Sequence, residues 1–310
     1  MPSWLVKSAI HRFISLLPNS QKFNELFQER VTKSLGLTAG AFEFRLNYCR
    51  RYFEDFIAVR PECAEGFTAL ELGTGWYPII PIGLYLCGAT EIWSFDIVSL
   101  LKRERLKILL NYFCEYDRAG TLKNFLPALR ADRMARLHEA ARLVDTESPE
   151  IVLEKINLHA IVRDAQDTGL PAKSVDLFFS CVVLEHIPAF VQRKLNAEFL
   201  RLASPRGVLI EFVDLKDQYA AFDKSLTVFN FLKFSDSAWA WLNSPLIPQW
   251  RLRVSDLRAL LRESGWEIVK EVNNVASASD LEKVKLAPKF QNYSREDLLA
   301  VETWLVAKPA

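Results

Sequence analysis

The sequence predicts an α/β protein built around a doubly wound, mostly parallel sheet. From residue 67 onward, short apolar runs alternate with amphipathic stretches of helical periodicity, which favours a parallel sheet with helices on both faces. Half of the 310 residues are hydrophobic and a quarter are charged, as is typical of globular proteins. The length suggests about two domains, or one large domain with insertions.

The chain before the sheet is predicted to form an N-terminal helical preface, residues 1–65. Residues 3–17 place apolar side chains at helical spacing, and a second helical stretch runs from about residue 41 to residue 59, ahead of Pro61. The first helix is expected to pack on the main domain. The alternative is an amphipathic helix that contacts a membrane surface.

Residues 66–310 are predicted to form the sheet domain, with seven strands. The predicted strands are residues 67–72, 91–96, 159–164, 175–180, 207–213, 266–271 and 302–307. Helices are predicted at residues 79–87, 189–202 and 254–264. Two insertions interrupt this plan, a helical one at about 101–157, whose role stays open, and an aromatic one at about 215–253.

Composition limits the partners and the compartment. Lys and Arg total 39 against 38 Asp and Glu, a net charge of +1, which argues against a broad nucleic-acid surface. Five scattered cysteines without zinc-site spacing predict reduced thiols, a cytoplasmic protein and no metal site. The longest uncharged run, residues 72–90, contains four glycines and two prolines, so no transmembrane segment is expected.

A ligand site is predicted where the first strand ends. The sequence Glu71-Leu72-Gly73-Thr74-Gly75 closes that strand, and its glycines allow the backbone to turn sharply and to approach a ligand. Asp96 ends the next strand, where a carboxylate can accept hydrogen bonds from both hydroxyls of a ribose. The alternative for Asp96 is an ordinary cap of the following helix.

Residues 164–171 read DAQDTGLP, and residues 174–187 read SVDLFFSCVVLEHI. With the glycine turn and Asp96, these segments resemble class I S-adenosylmethionine-dependent methyltransferases of the small-molecule, type 11-like kind, over residues 65–310. The resemblance implies a Rossmann-like fold, S-adenosyl-L-methionine as cofactor and a small-molecule acceptor. It also implies the cofactor contacts, which are Glu71, Gly73, Thr74, Gly75, Asp96, Asp164, Ala165, Ser180 and Cys181. Asp176 matches a motif position and is expected to support the fold.

Tyr77 departs from the family pattern, because a third glycine often stands at this position. Its ring is expected either near the sulfonium, whose charge the face of a ring attracts, or against the helical preface. The missing glycine also disfavours a dinucleotide site, where the third glycine permits close packing of strand and helix.

A general base is needed if the acceptor must lose a proton, as a hydroxyl does. His186 and Glu185, after the fourth strand, are the predicted catalytic residues, and His186 is the first candidate for the base, because the pKa of histidine suits proton removal near neutrality. The alternative is a structural Glu-His pair. Asp214, Asp217 and Asp223 follow the fifth strand, where they could contact a substrate, act as a base, hold a metal or be solvated; solvated acids are expected.

Residues 215–253 are expected to form a lid over the acceptor, because eight aromatic residues lie between residues 219 and 250. Core packing is the alternative for many of them. The predicted substrate-binding residues are Tyr77, Tyr219, Phe222, Asp223, Trp239, Trp241 and Arg251. Arg251 and Arg253 could hold a carboxylate or phosphate of the acceptor.

The function predicted from these features is O-methylation of a small molecule by in-line displacement. Transfer to nitrogen or carbon is the first alternative, since the same scaffold supports it. A nicotinamide-dependent oxidoreductase and a non-catalytic binding module are the others. A base methyltransferase of nucleic acid is disfavoured, because the D/N-P-P-Y/F tetrad is missing. The acceptor and the oligomeric state stay open.

Overall fold

The computed structural model describes residues 4–15 and 36–310, so part of the predicted preface lies outside the described residues. Helix α1 (Trp4–Ser15) is followed, after the gap, by α2 (Ala39–Val59). The hydroxyl of Thr38 accepts a hydrogen bond from the Ala41 N–H at 3.2 Å and so caps the start of α2. Helix α2 ends before Pro61, as the proline predicts.

Strands and helices then alternate to the C-terminus. In chain order they are β1 (Phe67–Leu72), α3 (Ile79–Leu86), β2 (Ala89–Asp96), α4 (Arg103–Arg118), α5 (Ala131–Leu143), α6 (Pro149–Glu154), β3 (Leu158–Val162), β4 (Val175–Cys181), α7 (Ala189–Leu202), β5 (Ala203–Asp214), α8 (Asp236–Leu242), α9 (Val254–Glu263), β6 (Trp266–Val275), α10 (Ala278–Glu282), α11 (Arg295–Leu299) and β7 (Ala300–Pro309).

The seven strands form one sheet in the order β3-β2-β1-β4-β5-β7-β6. Strands β1 to β5 pair in parallel, and β7 runs antiparallel to both β5 and β6. The predicted fold class, a Rossmann-like, mostly parallel, seven-stranded sheet, is confirmed. The strand order reverses direction between β1 and β4, and open α/β sheets place their ligand crevice at the carboxyl ends of strands beside such a point.

The register brings the ends of three strands level. Leu72 of β1 pairs with Phe95 of β2 and with Ser180 of β4. The glycine turn, Asp96 and Cys181 therefore leave the sheet at the same edge.

Helix α2 is part of the sheet's main core. Its buried face carries Phe42, Leu46, Cys49, Tyr52 and Phe56, which join the same cluster as the buried residues of α3. The Tyr52 hydroxyl donates to the Ser180 carbonyl oxygen at 2.5 Å, which fixes α2 above the end of β4. The predicted division of the chain at residue 65 stays a prediction.

The 101–157 insertion is helical, as predicted, and forms α4, α5 and α6. Its buried side chains extend the main core, among them Leu106, Phe113, Leu137 and Val152.

Residues 215–253 pack differently, because their aromatic side chains form a separate cluster with Trp4 of α1 and with residues 281–301. Helix α1 thus packs on the main domain. Among the helices that the structure describes, none is long and apolar enough to cross a membrane.

Candidate cofactor and acceptor site

A cavity of about 680 Å³ opens at the carboxyl ends of β1, β2 and β4. This volume lies within the range of small-molecule sites. Its walls come from the glycine turn, the residues after Asp96, the end of β4, helix α2 and the 215–253 segment. The predicted residues that line it are Glu71, Gly73, Thr74, Gly75, Tyr77, Asp96, Cys181 and His186.

The turn after β1 depends on its two glycines to different degrees. Gly73 has a φ of +88° and Gly75 a φ of +61°. A residue with a side chain would be strained in either backbone conformation. A Cβ on Gly73 would lie 2.6 Å from Cγ2 of Val183, whereas a Cβ on Gly75 would meet nothing within 4 Å. The Gly73 N–H donates to the Phe95 carbonyl oxygen at 2.7 Å, so the turn is held against the end of β2.

The Asp96 carboxylate is fixed by two backbone donors. The Gly75 N–H donates to Oδ2 and the Val98 N–H donates to Oδ1, both at 3.0 Å. The contact with Val98 is the local turn expected of a strand-end acid. The contact with Gly75 ties the carboxylate to the glycine turn. Asp96 therefore lies in the cavity wall with a set orientation, and each of its oxygens can still accept further hydrogen bonds.

Glu71 is a buried carboxyl in the cavity wall. The Thr74 hydroxyl lies 2.6 Å from the Ser94 hydroxyl, and Ser94 donates to a Glu71 carboxyl oxygen. Burial raises the pKa of Glu71 to about 8, because a charged carboxylate loses its hydration there. At neutral pH this carboxyl is mostly protonated, and an arriving cation would favour its ionised form.

Arg45 of α2 is a site residue that the sequence analysis did not find. Among the described residues that line the cavity, it is the only lysine or arginine. Its Nη1 donates to Cys181 Sγ at 2.8 Å, and burial raises the pKa of that thiol to about 11, so the thiol is neutral. Helical periodicity shows which face of α2 is apolar, but not that Arg45 meets the end of β4.

Val182 has a φ of +61° and lines the cavity. A β-branched residue in the left-handed region is a genuine outlier that costs ~1–3 kcal/mol and is found most often at functional sites. Its N–H donates to the Phe212 carbonyl oxygen at 2.9 Å, which holds this conformation. No feature of the sequence signals it.

His186 has a defined tautomer. Nδ1 lies 2.8 Å from the Pro248 carbonyl oxygen, and because a carbonyl only accepts, Nδ1 carries the hydrogen. Nε2 therefore has the free electron pair, and the side-chain amide of Gln218 donates to it at 3.2 Å. Burial lowers the pKa of His186, so its ring is neutral at neutral pH.

Glu185 does not line the cavity, unlike its neighbour His186. Its side chain is buried, and neither carboxyl oxygen has a hydrogen-bond partner. Burial raises the pKa of Glu185 well above its ordinary value, because a charged carboxylate loses its hydration there. The predicted catalytic role of Glu185 stays a prediction.

The predicted acidic set has local structural contacts. Asp214 accepts from the Lys216 N–H at 3.0 Å, buried Asp217 accepts from Asn230 Nδ2 at 2.9 Å, and half-buried Asp223 accepts from the Ser225 hydroxyl at 2.6 Å. The described residues contain no cluster of three or more His, Cys, Asp or Glu side chains placed to hold a metal ion.

Three predicted cofactor residues do not line the cavity. Asp164 follows β3 and is exposed, and it accepts from the N–H and the side-chain amide of Gln166 at 2.9 and 2.7 Å. Ala165 is buried in the core on the other face of the sheet. The Ser180 hydroxyl is buried and donates to Glu211. Their predicted cofactor contacts stay predictions.

Three predicted substrate-binding residues lie in the aromatic cluster instead of the cavity wall. The Tyr219 hydroxyl donates to the Leu242 carbonyl oxygen at 3.1 Å, and Trp239 Nε1 donates to the Gln249 carbonyl oxygen at 2.9 Å. Arg251 is buried and donates to the Phe231 carbonyl oxygen at 2.8 Å. Their polar groups are used inside the fold. Arg253, also buried, donates to the Leu215 carbonyl oxygen at 3.0 Å, so neither arginine reaches the cavity.

The other lid residues lie near α1. The Lys7 ammonium lies 2.7 Å from the ring centre of Phe222, and the Trp4 N–H donates to Asp223 at 3.3 Å. Trp241 is 67% exposed. The 215–253 segment reaches the cavity through Leu246 and Ile247, which carry no aromatic signal. Tyr77 lines the cavity and packs against the core that contains α2, and its predicted place near the sulfonium stays a prediction.

Comparison with known proteins adds a family match. The family model described as a methyltransferase domain matches residues 124–210, a range that contains Asp164, Cys181 and His186 but begins after the glycine turn. A search of curated proteins finds no match.

Similar solved structures include three methyltransferases. An S-adenosylmethionine-dependent methyltransferase from Mesorhizobium loti is 14% identical, with 82% of this chain and 96% of that chain covered and a TM-score of 0.42. A TehB-like methyltransferase from Corynebacterium glutamicum is 11% identical, with 94% of this chain and 100% of that chain covered and a TM-score of 0.44. A methyltransferase from Leishmania major is 13% identical, with 98% of this chain and 83% of that chain covered and a TM-score of 0.45.

Proposed function

We propose that this class I S-adenosylmethionine-dependent methyltransferase transfers the methyl group of its cofactor to a hydroxyl oxygen of a small-molecule acceptor. The methyltransferase-domain match and the seven-stranded sheet confirm the predicted enzyme class, and with it the cofactor. The oxygen acceptor and its small size are the proposal. A cytoplasmic location and the absence of nucleic acid among the partners stay predictions.

The cavity wall fits the cofactor group by group. The turn at Gly73 and Gly75 leaves backbone open to a ligand, because no Cβ stands there. We assign Asp96 to the ribose hydroxyls, since it is a carboxylate held by two backbone donors. Glu71 suits the methionine ammonium, which would ionise its buried carboxyl, and Arg45 suits the methionine carboxylate.

The bound cofactor supplies an activated methyl group, so the chain's own work is to hold the reactants in line and to exclude water. A hydroxyl acceptor also needs a proton acceptor. His186 can serve, because its Nδ1–H is held by Pro248 and Nε2 has the free electron pair. We propose that the acceptor hydroxyl replaces the Gln218 amide at Nε2.

Part of the cavity wall is apolar. Leu37, Ala41 and Phe44 come from the start of α2 and the residues before it, and Leu246 and Ile247 come from the 215–253 segment. These side chains suit an acceptor with an apolar body, which would gain free energy by leaving water. A single neutral histidine in the described wall then fits an acceptor with one hydroxyl at its reactive end.

The observation that carries this proposal is the position of His186 in the same cavity as the glycine turn and Asp96. The test is transfer of labelled methyl from S-adenosylmethionine to a panel of apolar compounds, matched in pairs that carry either a hydroxyl or an amine. Hydroxyl compounds should be labelled, and His186→Gln should slow the transfer by ~10²–10⁴-fold without weakening cofactor binding. Labelling of amines alone, with no effect of His186→Gln, would favour the N-methyltransferase alternative.

A further inference from the structure

Helix α1 packs on the domain with a mixed face, on which the buried residues Trp4 and Ile14 are apolar and two others are polar. The side that packs on the domain includes Ser8 and His11, both buried, with the Ser8 hydroxyl bonded to the Leu242 carbonyl oxygen at 2.6 Å and His11 Nδ1 3.0 Å from the Ser244 hydroxyl. The outward side carries large apolar residues, and Leu5, Val6 and Phe13 are 49%, 46% and 65% exposed.

Exposed apolar residues on one side of a helix are unfavourable in water, since each large side chain would gain free energy by burial. A contiguous apolar surface of this kind marks an interaction site more often than a free surface. Trp241 extends it. This ring is 67% exposed and lies beside α1, with the Arg12 guanidinium 5.8 Å from its centre.

The charges on α1 identify the kind of partner. At about 100° per residue, Val6 and Phe13 lie at the centre of the outward face, and Arg12 lies on its border. Lys7 lies on the packed side of the helix, with its ammonium over the Phe222 ring. Helix α1, with the sequence WLVKSAIHRFIS, contains no aspartate or glutamate. An apolar face on a basic helix, with an arginine on its border and an exposed tryptophan beside it, is the pattern of a helix that lies in the interface of an anionic bilayer.

We propose that α1 docks this protein on a membrane surface that contains anionic lipids. Phe13, Val6, Leu5 and Trp241 enter the boundary between headgroups and acyl chains. Arg12 lies at headgroup level, where anionic lipids attract it. Arg12 keeps its hydrogen bond to the Ala240 carbonyl oxygen at 3.1 Å, so the helix docks without leaving the domain.

The docked helix lies next to the mouth of the cavity. The Ser244 hydroxyl, which contacts His11, also accepts hydrogen bonds from the N–H groups of Leu246 and Ile247 at 3.3 Å. Both of these residues line the cavity. A bilayer held by α1 is therefore close to the apolar part of the cavity wall.

The test is sedimentation of the full chain with vesicles of phosphatidylcholine, with and without phosphatidylserine. Binding should require phosphatidylserine and weaken as salt is raised. Phe13→Ser should lower the vesicle partition coefficient about tenfold. Phe190→Ser is the matched control, because Phe190 is 63% exposed but lies on α7, and it should bind as the wild type does.

Three results would overturn the proposal. They are the absence of sedimentation with either vesicle, equal binding to both vesicle types, and equal loss in Phe13→Ser and Phe190→Ser. Light scattering on the same samples tests whether a second copy of the chain, instead of a membrane, covers this face. A dimer that Phe13→Ser converts to a monomer, without binding to vesicles, would assign this face to a second copy of the chain. Because α1 does not line the cavity, an unchanged cofactor affinity shows that each variant is folded.

Discussion

Glu71 links cofactor binding to a proton. Its carboxyl is buried and has a pKa of about 8 in the unliganded protein. A methionine ammonium beside it would favour the ionised form and lower that pKa. The unliganded protein holds the proton below about pH 8 and the complex holds it less, so binding must release a proton, and the affinity must increase as the pH rises towards about 8.

This release can be measured by calorimetric titration near neutral pH in two buffers that differ in ionisation enthalpy. The wild type should release a fraction of a proton, up to about one per cofactor bound, and Glu71→Gln should release less. Equal enthalpies in both buffers for the wild type would mean that Glu71 does not contact the ammonium.

At the scale of single elements, the turn after β1 distinguishes two glycines that look alike in the sequence. Gly73→Ala should disrupt cofactor binding strongly, because the new Cβ would lie 2.6 Å from Val183 Cγ2 in addition to the strain of a positive φ. Gly75→Ala has space around it and should cost only ~1–2 kcal/mol of strain. Thermal unfolding and cofactor titration report both effects.

The double variant Gly73→Ala/Val183→Ala isolates the steric part of this effect. Removing the two methyl groups of Val183 should restore part of the binding that Gly73→Ala loses. If Gly73→Ala binds the cofactor as Gly75→Ala does, the turn does not form the contact that the structure shows.

Helix α2 supplies a second comparison, between two parts of the cofactor. Arg45→Ala should weaken S-adenosylmethionine binding by ~1.5–3 kcal/mol, the worth of a hydrogen bond to a charged group. It should leave adenosine binding unchanged, because adenosine lacks the methionine carboxylate. Asp96→Ala should weaken the binding of both compounds. Equal losses for the two compounds in Arg45→Ala would assign Arg45 to the position of α2 instead of to the carboxylate.

For the whole molecule, the sequence was most informative about site residues that directly follow a predicted strand in the chain. The glycine turn and Asp96 follow strands that their apolar runs identify, and the parallel sheet places both at one edge. Arg45 and Ile247 could not be found in this way. Arg45 lies on a separate helix and Ile247 lies more than 100 residues after the turn, so both reach the cavity only through packing between distant segments.

The aromatic insertion shows the opposite limit. The abundance of rings after β5 predicted a surface for an acceptor, yet the same composition suits a core. Trp239 is buried against Phe231 and Phe234, with ring centres 5.8 and 6.1 Å apart. What decides between the two is the presence of α1 and residues 281–301 on the other side of these rings, which local periodicity does not contain.

The central claim is that the cavity at the ends of β1, β2 and β4 binds S-adenosylmethionine through Asp96. Calorimetric titration of the wild type and Asp96→Ala with S-adenosylmethionine tests it most directly. The wild type should bind at micromolar strength, and Asp96→Ala should lose ~2–4 kcal/mol of binding free energy with the loss of two charge-assisted hydrogen bonds. Equal affinity in the two proteins, or no binding by a folded wild type, would contradict the account.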